Sequence, residues 1–116
     1  MAEPQVGVSM TGILNFTVVT SGGVAYDIEF PLHPQTRSAQ GVSDLLTALL
    51  DTVSHASTER PGLSDGDILQ ALCLALAVRA RMVGAAPQSA RELVIELFDA
   101  AHAAACAATP YGAGRA

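Results

Sequence analysis

Two runs near the start of the chain, GILNFTVVT and VAYDIEF, are rich in Val, Ile, Phe, Tyr and Thr and flank the break SGG. That is the composition of two strands paired about a turn. A three-residue turn over Ser21, Gly22 and Gly23, with Gly23 in the left-handed conformation, fixes the register. Thr20 then faces Val24, Val18 faces Tyr26, Phe16 faces Ile28 and Leu14 faces Phe30, while Asn15 meets Glu29 and Thr17 meets Asp27 on the opposite face. A slip of one residue would set Val18 against Asp27 and mix the two faces. The pattern therefore predicts an antiparallel hairpin. Alternation continues back through QVGVSM, which predicts a first strand starting near Gln5 with a bend at Gly12.

After the hairpin the period changes from 2 to about 3.6. Pro31, Pro34 and Gly41 mark a loop. A first helix is expected from Ser38 or Ser43 to His55, with Val42, Leu45, Leu46, Leu49, Leu50 and Val53 as one stripe and Asp44, Thr47, Asp51 and His55 opposite. Ser64 and Asp67 form a capping box for a middle helix that ends near Gly84, ahead of Pro87. Ser89 and Glu92 form another, for a last helix running to about Ala107. Residues 1–5 and 109–116 are expected to be frayed tails. The order β-β-α-α-α predicts a single α+β domain over residues 1–116, an N-terminal antiparallel β-hairpin packed on three α-helices, with the apolar helix at about 64–84 central.

The middle helix has too many apolar residues for one face. At about 100° per residue, Ile68, Leu69, Leu72, Leu76 and Val83 cluster on one side and Leu74, Val78 and Met82 on a second. Only the arc holding Gln70, Ala77 and Arg81 is polar or small. A helix apolar over most of its circumference is central in its domain or packs in two directions. The second direction, through Leu74, Val78 and Met82, is the candidate interface of a homodimer; an open sheet edge is the other route. Arg79 projects beside Ile68 and Leu72. It either snorkels from the helix C-terminus to water or holds a carboxylate or anionic ligand in a partly buried place.

Composition narrows the function. Half the residues are hydrophobic and only 15% are charged, which excludes a disordered polar chain. The net charge of −5, with scattered arginines and no basic run, argues against nucleic-acid binding. All six cations are Arg and alanine is abundant, a bias expected of a GC-rich, bacterial genome. No secretory leader is recognisable, and the longest helical apolar run, Ala71–Val78, is too short to span a membrane, so a cytoplasmic protein is expected. Cys73 and Cys106 lack metal or redox spacing and are expected to be reduced and largely buried.

Chemistry-bearing patterns are sparse. Asp99, His102 and Cys106 share one face of the last helix, a ligand-like trio without ligands from elsewhere and without an oxyanion hole. Asp51 and His55 are spaced for a surface pair, and His33 is a loop residue. Gly22-Gly23 precedes a strand, so it is no phosphate loop. Glu92, Glu96 and Asp99 make an acidic stripe suited to a basic protein partner. No cofactor and no metal site are expected. The expected function is a small non-enzymatic protein-interaction domain, such as an adaptor, assembly factor or inhibitor, that self-associates. The alternative is a small-molecule-binding protein or enzyme with an anion-binding cleft near Arg79.

Overall fold

The hairpin forms in the register that the alternation predicts. In a computed structural model describing residues 12–20 and 22–112, β1 (Ile13–Val19) pairs antiparallel with β2 (Val24–Pro31). Leu14 lies opposite Phe30, Phe16 opposite Ile28, Val18 opposite Tyr26, and Thr17 opposite Asp27. Gly23 takes φ +83°, which a side chain would resist, and the turn closes through the Thr20 amide donating to the Val24 carbonyl at 2.8 Å. Leu14 and Ile28 are buried while Asn15, Thr17, Asp27 and Glu29 are exposed, so the two faces separate as the pattern requires. Gly12 has φ +81° and its carbonyl accepts from the Leu32 amide at 2.7 Å. A start near Gln5 lies outside the described residues.

Three helices follow: α1 (Ala39–Glu59), α2 (Asp65–Arg81) and α3 (Pro87–Ala107). The α+β order β-β-α-α-α thus stands, with one addition. Pro110–Gly112 forms a third strand, β3, on the far side of β2, where the sequence pattern suggests a frayed tail. Ala25 is buried between its cross-strand neighbours Val19 and Tyr111.

Helix ends follow capping chemistry. Ser38 starts α1: its Oγ accepts from the Gly41 amide at 3.0 Å. Both halves of the Ser64–Asp67 box are made, at 3.0 and 3.1 Å. The box expected at Ser89 is not the start of α3. That helix begins at Pro87, whose fixed φ and missing amide suit the first turn, and the Ala90 amide already bonds the Ala86 carbonyl at 3.0 Å.

By internal packing the chain divides into two units, one comprising residues 1–44 and 97–116, the other residues 45–96. The first contains the sheet, and its buried residues among those described are Leu14, Ala25, Ile28 and Ser43, the hydroxyl of Ser43 having no hydrogen-bond partner among the described residues. The second is wholly helical and buries only Ala90 among its described residues. None of the residues of α2 is buried. The stripe of α1 is similarly open: Val42, Leu45, Leu49 and Leu50 are exposed, and Leu46 and Val53 are half-buried.

Candidate interaction surface

The helical unit is built from residues that ordinarily make a core, and here they face outward. Along α2, Leu74 is 60%, Val78 63% and Met82 67% exposed. Leu69, Leu72 and Leu76 on the remaining circumference are exposed as well, as are Leu93 and Ile95 of α3. Scattered apolar side chains are normal on a protein surface, whereas a contiguous set along one helix is unusual for a single chain. The expected interface residues Leu74, Val78 and Met82 thus lie together on an open face.

Beside this face, α2 and the start of α3 enclose a groove of about 500 Å³ lined by Cys73, Leu76, Ala77, Val94 and Ile95, with Arg81 and Arg91 at its polar positions. Arg79 is exposed and does not line the groove. Neither Arg81 nor Arg91 makes an ion pair among the described residues. Cys73 and Cys106 are both free and exposed rather than buried.

The acidic stripe is also at the surface. Glu92 accepts from the Gln88 side chain at 3.1 Å, Glu96 has an interaction of its own, and Asp99 is exposed. His102 stacks on Phe98 with ring centroids 5.3 Å apart, and its Nε2 lies 3.6 Å from the Cys106 Sγ. Asp99 does not complete a ligand set, and no group of three or more His, Cys, Asp or Glu among the described residues is arranged to hold a metal ion. His55 turns away from Asp51 and approaches Glu59 at 3.4 Å, again as an exposed i,i+4 pair.

On the sheet unit a second hollow, about 590 Å³, is bordered by Asn15, Thr17, Asp27 and Glu29 and by Ala104, Ala107 and Ala108. At its edge Asp27 Oδ1 accepts from both Thr17 Oγ1 (2.7 Å) and Tyr111 Oη (3.0 Å). The phenol of Tyr111 is held above its ordinary pKa of 10.0, first by donating this hydrogen bond to Asp27, then by desolvation and by the carboxylate's charge. A group whose folded pKa is raised contributes stability below its unfolded pKa and loses it as pH rises through the folded value. The Tyr111 contact therefore adds to the β2–β3 pairing at neutral pH and is lost as pH rises through the raised phenol pKa. Asp27→Asn is expected to bring one of the two tyrosines back toward the ordinary phenol range, read by ultraviolet titration of both proteins. An unchanged titration curve would mean that the bond to Asp27 is not what restrains the Tyr111 proton.

Comparison of the chain with protein-family models, curated proteins and solved structures finds no match. No helix among the described residues is long and apolar enough to cross a membrane.

Proposed function

We propose that this protein is a non-enzymatic interaction module that works by self-association through its helical unit. The observation that supports this reading is the outward-facing apolar side chains of α2, with no residue of that helix buried in the single chain. Burial of apolar area is the main favourable term in association, worth about 25 cal/mol per Å². An exposed helix of this composition gains from being covered. An enzyme would need polar groups converging in a pocket, and the helical groove sets one thiol, Cys73, beside the guanidiniums of Arg81 and Arg91 with no carboxylate or histidine lining it to act as a base. The acidic stripe Glu92, Glu96 and Asp99 is the complementary candidate for a basic protein partner. An acidic protein of this kind fits the cytoplasm.

The deciding experiment is solution mass by light scattering across a concentration series. A dimer persisting to low micromolar concentration is the expected result; a monomer throughout would remove self-association from the reading.

A second reading draws on the groove itself. Apolar walls beneath two guanidiniums without ion pairs suit an amphipathic anion such as a medium-chain carboxylate. Its ligand would lie against Cys73 and slow alkylation of that thiol; self-association through the outer face of α2 would leave the rate unchanged.

A further inference from the structure

The charges at the two ends of α2 indicate what covers its outer face. Asp67, Leu74 and Arg81 are seven residues apart, and each heptad falls only about 20° short of two full turns. They therefore lie in one row. Ala71 and Val78 fill the alternate positions beside it, so that Asp67, Ala71, Leu74, Val78 and Arg81 have the i, i+4, i+7, i+11, i+14 spacing of a coiled-coil seam roughly 21 Å long. All five are exposed. The seam is apolar in the middle, acidic at its first turn and basic at its last.

A seam of this charge pattern is complementary to itself when reversed. We infer that α2 packs antiparallel against α2 of a second copy of this chain, about a two-fold axis at Leu74, so that each Asp67 meets the partner's Arg81. The axis position follows from the sequence, because Leu74 is midway between the two charges. Parallel pairing would instead set Asp67 against Asp67 and Arg81 against Arg81, and like charges placed opposite each other are strongly disfavoured. The polar atoms are free for the contact. Asp67 accepts from the Ser64 amide through Oδ2, its Oδ1 accepts no hydrogen bond among the described residues, and Arg81 makes no ion pair among them. An isologous contact of this kind closes at this seam with two copies.

The inference rests on the self-association reading, and one set of variants separates the two. Asp67→Arg places two arginines together at both ends of the seam; Arg81→Asp places two carboxylates together. Each alone is expected to raise the dimer dissociation constant at least about tenfold. Mixed in equal amounts, they restore both opposite-charge contacts, so the mixture dimerises as tightly as the wild type. Loss of the Asp67 cap cannot produce that rescue, since mixing does not return the Ser64 bond. A second test keeps both charges. In a background of Cys73→Ser and Cys106→Ser, Leu74→Cys at the axis is expected to join two chains through a short bis-maleimide, whereas Leu76→Cys on the groove side is not. This pair decides the matter if Asp67→Arg fails to fold. A wild type that is dimeric, with no rescue on mixing and no link at Leu74→Cys, overturns the α2 seam and leaves self-association standing. A monomeric wild type overturns both.

Discussion

Leu14→Ala is expected to lower the free energy of unfolding by about 2–4 kcal/mol, the range for truncating a buried leucine. Leu14 is 1% exposed and is the largest fully buried side chain among the described residues. It lies on the hairpin's apolar face at the end away from the turn, opposite Phe30 and two residues from Phe16. Removing three carbons there costs their transfer free energy and leaves a void that the paired strands cannot close without breaking register. For a chain near this size the loss corresponds to a fall in melting temperature of roughly 10–20 °C. Few other described side chains are buried, so little else can compensate. Chemical denaturation of wild type and variant at one protein concentration measures the difference. A change below about 1 kcal/mol would show that Leu14 contributes no more than a surface residue.

The second large effect is on assembly. Leu74→Glu combined with Val78→Glu is expected to yield a monomer whose helix content matches that of the wild type. Both positions are more than half exposed in the single chain, so the carboxylates meet water there and α2 keeps good helix formers. In the assembled form the same carboxylates would be removed from water without partners, which is costly enough to raise the dissociation constant a hundredfold or more. Light scattering reads the mass and circular dichroism the helix. A variant that stays dimeric would move the interface to another surface of the chain.

What could be read from the sequence follows from how far each feature reaches along the chain. The hairpin register is legible because every partner lies within about twenty residues and alternation admits only one pairing. The Ser64–Asp67 box is legible because a cap is chosen by four adjacent residues. Ser89 misleads by the same local logic: a Pro two residues earlier is an equally good start and comes first. β3 is illegible because Pro110–Gly112 is too short to alternate and its partner strand is more than eighty residues away. His55 has two carboxylates at helical spacing, Asp51 and Glu59, and spacing alone does not choose between them. Helical periodicity shows that α2 is apolar around most of its surface, yet it carries no information about what lies against that surface. For the same reason Cys73 and Cys106, expected to be buried by residue type, are exposed.

The sheet unit is discontinuous: its two stretches flank the helical unit, and Tyr111 meets Asp27 across 84 residues. During synthesis the hairpin emerges first and the helices next, and the strand that completes the sheet leaves the ribosome only after all of α3. The apolar faces of α1 and α2 are thus available to other chains before the sheet is finished. Were the chain to self-associate through α2 as proposed, neighbouring nascent copies on one message could pair through their helices before the last step of folding.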